Sequence, residues 1–284
     1  MSEIDEIFGD EKTPDKKSFN KDDWIAKKAQ DRENAYGMLE EATNDLSSPE
    51  KLTQYLSVQS RFDRYSVSNA ILVAHQKPEA KKLGDYNYWK KQNVYIQKGE
   101  KAITILEPGE YTKQSGEKGL SYNAKKVFDI SQTDAEIKPE RSKSVDDKKL
   151  IKALLKSTDT EVLISDSLPE DVNAQYNGKD NVIYIRQGME GSEIFRNLAR
   201  EIAVARFDKS DMPKEEKAIS VFCVTFILCK RNGIEPPPCN VKSELFTDKN
   251  PKDIRALLSK TRDEANTISA VMEKTLSPKN REAR

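Results

Sequence analysis

The chain has 284 residues, with 48 Lys+Arg against 48 Asp+Glu, 36% hydrophobic and 34% charged residues, and one histidine. Zero formal net charge removes global attraction as a way of recruiting a polyanion, so any nucleic-acid site has to be a local patch. A single histidine removes HExxH and His–His metal sites. The longest apolar run, residues 221–229, is far short of the ~20 residues that span a bilayer, and the acidic N-terminus is unlike a secretory leader. The expectation is a cytoplasmic protein with no membrane attachment. Its Cys223, Cys229 and Cys239, odd in number and without CxxC spacing, are expected to stay reduced.

In chain order, residues 1–23 carry eight acidic residues and four lysines with few bulky apolar groups. That composition cannot offset the entropy of folding and reads as a disordered acidic tail. From 24 to 46, Trp24, Ala35, Met38, Leu39 and Ala42 recur between charges, which suits a surface helix. Ser48-Pro49-Glu50 opens a second helix with Leu52, Tyr55, Leu56 and Phe62 on one face, and 67–76 forms a third that Pro78 ends. The alternating segments 93–97 and 101–106 around Lys98-Gly99-Glu100 predict a β-hairpin, 125–130 a further strand, and the polar stretch that follows an interdomain linker at 135–147.

The second half predicts a helix near 148–156, a strand at 161–164, a turn at Asn177-Gly178 and a strand at 182–186. A helix capped by Ser192 follows, in which Ile194, Leu198 and Ile202 repeat, then a central apolar helix over 214–231. Asn250, Pro251 and Asp253 open a last helix whose stripe is Ile254, Leu257, Leu258, Ile268 and Met272; it either packs back on the body or binds a partner. The fold class is α+β in two domains: helices against a small antiparallel sheet over 24–134, a helix-rich second domain over 148–240, and a C-terminal helical segment over 241–284. No internal repeat is present.

Between Lys81 and Lys101 lie six lysines against Asp85 and Glu100, interleaved with Tyr86, Tyr88, Trp89 and Tyr95, a local net charge of about +4. Lysines neutralise a phosphate backbone while aromatic faces stack on unpaired bases, so this mixture suits a single strand. The competing use of the same residues is structural: Tyr86, Tyr88 and Trp89 filling a small core with the lysines solvating its rim.

The ordered motifs Tyr65-Ser66-x-x-Asn69-x-x-Leu72, Gln76-x-Pro78, Trp89-Lys90-Lys91, Lys98-Gly99-Glu100-Lys101 and Val127-Phe128-Asp129-Ile130-Ser131-Gln132-Thr133 resemble the N-terminal domain of ArdC-type antirestriction proteins and the related LtrC-like proteins. The family turn continues with glycine where Ala102 stands here. The resemblance implies a single-stranded DNA-binding domain of plasmids and conjugative elements, followed by a zincin-like metallopeptidase domain. On the matched motifs, Tyr65, Ser66, Asn69, Gln76, Trp89, Lys90, Lys98 and Lys101 are the candidate DNA contacts. Each also has a scaffold use: Tyr65 and Trp89 in packing, Asn69 in tying down a loop, Gly99 in a turn of positive φ.

The family's HExxH helix corresponds here to Arg200-Glu201-Ile202-Ala203-Val204. A permanent cation and an aliphatic group replace the two ligand histidines, and a third ligand would fall near Ile219. His75 has no second ligand at helical spacing. Arg200, Glu201 and Val204 therefore mark a degenerate former metal site; no metal and no cofactor is expected. The reading that follows is a non-enzymatic single-stranded DNA-binding protein that protects or escorts incoming DNA, with RNA as a second possible strand. The alternative is a recruitment module holding a host or conjugation protein in the pseudo-peptidase cleft through a strand such as 182–185. An active metalloprotease is the third reading, and the missing ligands oppose it. The acidic tail can compete with DNA for the lysine patch.

Overall fold

Helix α1 (Lys21–Asn44) starts where Asn20 Oδ1 accepts the Asp22 N–H at 3.0 Å, and Asp22 and Asp23 suit its positive end. The computed structural model describes residues 20–112, 116–136, 146–240, 246 and 249–277. The expected tail over 1–19, most of the expected linker (137–145) and the segment 278–284 lie outside them. The last three residues assigned to the tail, Lys21 to Asp23, belong to α1. Ala35, Leu39 and Ala42 are buried as the pattern predicts, but Trp24 is 46% exposed, because no position in the first ten residues of this helix is covered by the body.

A short 3-10 turn leads to α2 (Pro49–Arg61), with proline in its first turn and Leu52, Tyr55 and Leu56 buried. Helix α3 (Val67–Gln76) is capped by Ser66, whose Oγ accepts the Asn69 N–H at 3.2 Å. Strand β1 (Leu83–Gly84), the short helix α4 (Tyr86–Lys91), and the long strands β2 (Ile103–Thr112) and β3 (Lys118–Asp129) follow. The sheet is antiparallel in the order β1-β3-β2, with Ile103 opposite Val127 and Ile105 opposite Lys125.

The hairpin is therefore β2 with β3, and the predicted pairing of 93–97 with 101–106 does not form. Asn93 adopts φ 56, and the segment's one ladder contact is a bridge from Ile96 to Thr133. Strand β2 continues through Glu107-Pro108-Gly109-Glu110, a polar run that discourages a strand assignment. It is tolerated because β2 is an edge strand, where proline's missing N–H costs no ladder bond and polar side chains meet water.

The outer edge of β2 is closed by side chains of α3. Asn69 donates Nδ2–H to the Leu106 carbonyl (2.9 Å) and accepts the Leu106 N–H (2.8 Å); Gln76 does the same with Thr104, at 2.9 and 2.8 Å. Two amides thus stand in for a neighbouring strand. At the other end, the buried Asp129 carboxylate accepts the N–H groups of Lys81, Lys82 and Ser131 at 2.7, 2.8 and 3.0 Å. Gln132 completes a capping box by accepting the Asp129 N–H and donating to the Lys101 carbonyl.

The second half contains α5 (Asp147–Leu155), β4 (Glu161–Ile164), β5 (Ala174–Asn177), β6 (Val182–Ile185), α6 (Gly191–Asp208) and α7 (Lys214–Arg231). Its sheet, ordered β4-β6-β5, is mixed: β4 runs parallel to β6 and β5 antiparallel. Glu190, not Ser192, is the residue before α6, and Ser192 lies inside the first turn. Strand β5 is polar at Gln175 and Asn177, and it is pairing with β6 that makes it a strand.

Helix α8 (Pro251–Leu276) is capped by Asn250 and buries the whole predicted stripe. The packing decides its role, since it lies on the body rather than awaiting a partner. Arg231 at the end of α7 donates to Ser269 Oγ (2.9 Å) and Asn266 Oδ1 (2.7 Å) on α8 and to the Ser60 carbonyl (3.3 Å) on α2. One hydrophobic core runs from Ala35 to Met272 through both halves. Among the described residues, no helix is long and apolar enough to cross a membrane.

Candidate nucleic-acid interface

Helix α4 is built on Gly84 and Asp85. Asp85 Oδ1 accepts the Tyr88 N–H at 2.7 Å, and a Cβ at position 84 would collide with the Tyr88 ring and stand 3.0 Å from the Trp89 indole. The close approach turns Trp89 inward to 2% exposure, with Nε1–H donated to the Phe128 carbonyl at 3.0 Å. Tyr88 meets it edge-on at 5.0 Å, and Lys82 Nζ lies 5.7 and 5.6 Å from the two ring centroids. Tyr86 and Tyr95 are 57% and 56% exposed, and Lys81, Lys82, Lys90, Lys91, Lys98 and Lys101 are all exposed. Gly99 has φ +92, so the turn carrying Lys98 and Lys101 needs glycine there.

Beside this patch lies a hollow of about 360 Å3 over the face of the first sheet. Tyr65, just before α3 at the β2 edge, and Tyr88, on α4 beyond β1, line its flanks; Leu83, Ile105 and Val127 give it apolar walls. Lys125 Nζ bridges Glu107 (2.6 Å) and Asp85 (3.2 Å). The hydrogen bond to Glu107 raises the Lys125 pKa, reinforced by Asp85 and opposed by burial. The Tyr88 N–H, then Lys125, hold the Asp85 carboxyl below its ordinary value. Burial raises the Tyr65 hydroxyl, and Lys125 opposes it.

Of the residues expected to touch DNA, Trp89, Asn69, Gln76 and Ser66 are engaged within the fold: Trp89 is buried and its ring is unavailable for stacking, the two amides close the β2 edge, and Ser66 caps α3. Tyr65 lines the hollow and Asn69 also borders it, while Ser66, Lys90, Lys98 and Lys101 are exposed. Sequence reasoning missed Glu107 and Lys125. They are diagonal neighbours across β2 and β3, visible only when that register is known.

A second hollow, of about 380 Å3, lies between α6 and α7, with Val204, Phe207, Val221 and Phe222 as apolar walls and Arg200 and Lys217 among its polar lining. Glu201 is buried; its Oε2 accepts the Tyr176 N–H of β5 at 2.8 Å and its Oε1 takes the Arg200 guanidinium. Burial pushes its pKa up, and Arg200 and the Tyr176 N–H pull it back. Ile219 faces the core, while Val221 meets the hollow. A guanidinium, two valines and a carboxylate already held by an N–H and a cation do not fit a divalent metal. His75 is exposed on α3 in the other half. Cys223, Cys229 and Cys239 are free; Cys223 and Cys229 are buried, and burial pushes the Cys229 thiol up to about 12.

Residues 37–155, from the second half of α1 through α5, match the family model described as the N-terminal domain of anti-restriction factor ArdC. Two crystal structures share the fold, both of the antirestriction ArdC protein from the R388 plasmid. The metal-free form aligns with a TM-score of 0.54 and 19% identity over 74% of this chain and 85% of that one. The Mn(II)-bound form aligns with a TM-score of 0.53 and 18% identity over 76% and 86%. No curated protein matches the chain.

Proposed function

We propose that this chain, an ArdC-type antirestriction protein by its N-terminal domain over residues 37–155, binds single-stranded DNA of a plasmid or conjugative element and protects or escorts it without catalysis. The observation that supports this reading is the exposed patch in which Lys81, Lys82, Lys90, Lys91, Lys98 and Lys101 surround Tyr86, Tyr88 and Tyr95. The lysines neutralise phosphates and release their counterions, and the tyrosine rings stack on bases for about 1–3 kcal/mol each. A duplex hides its base faces and gains only the first term. A strand covered in this way is out of reach of a nuclease, with no chemistry required of the protein. The absence of catalysis rests on Arg200 and Val204, which cannot ligate a metal. RNA offers the same phosphates and bases, so a ribose strand belongs in the test.

The test is a fluorescence-anisotropy titration with a labelled DNA strand, its RNA counterpart and the DNA duplex at two salt concentrations, repeated with Tyr86→Ala and Lys90→Ala. The expected result is salt-sensitive binding that favours the DNA strand and is weakened by both substitutions. Equal affinity for duplex and strand, or binding indifferent to salt, overturns the reading.

A second reading rests on the apolar hollow beside Arg200: a zincin-like cleft without its metal recruits a host or conjugation protein. It predicts that Val221→Arg, which fills the hollow with a cation, releases a partner that Lys98→Ala retains.

A further inference from the structure

The hollow over the first sheet differs in charge from the patch beside it. Asp85 and Glu107 outnumber Lys125, so it repels phosphate and suits an uncharged group that brings its own hydrogen-bond donors. Tyr65, Tyr88 and the aliphatic walls at Ile105 and Val127 accept a flat ring, and about 360 Å3 holds a purine. Asp85 is fully engaged, with Oδ1 on the Tyr88 N–H and Oδ2 on Lys125. Glu107 is not: Oε1 meets Lys125, and among the described residues Oε2 makes no hydrogen bond. Lys125 has three N–H donors, of which two go to these carboxylates. An accepting carboxylate and a spare ammonium donor therefore stand side by side at the hollow.

We propose that this hollow reads one unstacked guanine of a bound strand, with Glu107 accepting from guanine N1–H and N2–H and Lys125 donating to O6. Guanine alone presents two adjacent donors and an acceptor on its pairing edge; adenine, cytosine and thymine each present a single donor group there. The ring lies with Tyr65 and Tyr88 while the flanking phosphates reach the lysines of α4 and the Gly99 turn. The inference rests on the single-strand reading above and gives that binding a base preference.

The experiment titrates the full chain with labelled oligothymidine strands that carry one central guanine, hypoxanthine, adenine or cytosine. Guanine is expected to bind about tenfold more tightly than thymine at that position. Hypoxanthine, which lacks the 2-amino group, is expected to lose most of the gain. In Glu107→Gln the guanine-to-thymine ratio falls to about one whatever becomes of overall affinity, and Glu107→Asp restores part of it, which a scaffold role for Glu107 would not do. Free guanosine monophosphate, which lacks the lysine-bound phosphates of a strand, leaves the complex intact. Its displacing the strand at equal concentration would overturn a strand-borne base as the occupant. Salt-sensitive binding with no preference for guanine overturns the inference and leaves single-strand binding standing. Failure to bind any of the strands overturns both.

Discussion

The two hollows use polar residues in opposite ways. Over the first sheet, the motif residues Trp89, Gln76 and Asp129 bond the backbone away from the opening, Asn69 bonds the backbone at its rim, and Tyr65, Tyr88, Lys125 and Glu107 face the opening. Between α6 and α7 the opening is apolar, and the acidic residue beneath it, Glu201, is tied to β5. In both places the buried polar group belongs to the scaffold, because a group removed from water has to be hydrogen-bonded and is then unavailable to a ligand. Residue type therefore does not identify chemistry until burial is known.

Asp129 offers the sharpest way to break this comparison. Asp129→Ala leaves three N–H groups without an acceptor, and urea denaturation is expected to register a loss of roughly 3 kcal/mol. Burial pushes the Asp129 pKa up, but hydrogen bonds from Ser131, Lys82 and Lys81 outweigh it and the net value is lowered. With a depressed folded-state value, its contribution is present above the ordinary carboxylate range and is lost as pH falls through the folded-state value. A wild-type stability advantage over Asp129→Ala that persists at low pH would contradict this.

Gln76→Ala opens the β2 edge at Thr104 and is expected to cost about 2 kcal/mol of stability while the folded variant keeps its affinity for single-stranded DNA. A fall in affinity without loss of stability would return Gln76 to the interface. In the second hollow, Glu201→Ala strands the Tyr176 N–H and is expected to cost about 1–2 kcal/mol, whereas Glu201→Gln keeps an acceptor and stays within about 1 kcal/mol of the wild type. Because the Glu201 value is raised in the fold, its contribution is present at low pH and is lost as pH rises through the folded-state value. Glu201→Gln therefore gains on the wild type with rising pH in thermal melts. The smallest effect is that of Lys98→Ala: stability within about 0.5 kcal/mol, and a salt slope of strand binding lower by about 1.

Much of the fold is legible in local pattern. The starts of α2 and α8 follow from Ser48-Pro49 and Asn250-Pro251, and the buried stripe of α8 from its period. The β2–β3 hairpin was not legible, because Pro108 and the polar residues around it mask a strand that its edge position permits. The candidate interface was legible as a region and only partly as residues. Composition placed lysines and tyrosines together between 81 and 101, but Tyr88 and Trp89, adjacent in sequence, lie on opposite sides of the burial line because Gly84 lets one ring cover the other.

Contiguous residues and residue identity were enough to read the helices other than α4, the domain family of residues 37–155 and the absence of histidine from positions 200 and 204. Only the tertiary structure shows that Arg231 of α7 ties α8 and α2 together, that Asn69 and Gln76 close a strand edge, and that Glu107 and Lys125 meet in one hollow. Those contacts join residues 18 to 171 positions apart, and no periodicity carries such information. Hydrogen bonds and burial assign partners only when the chain has closed on itself.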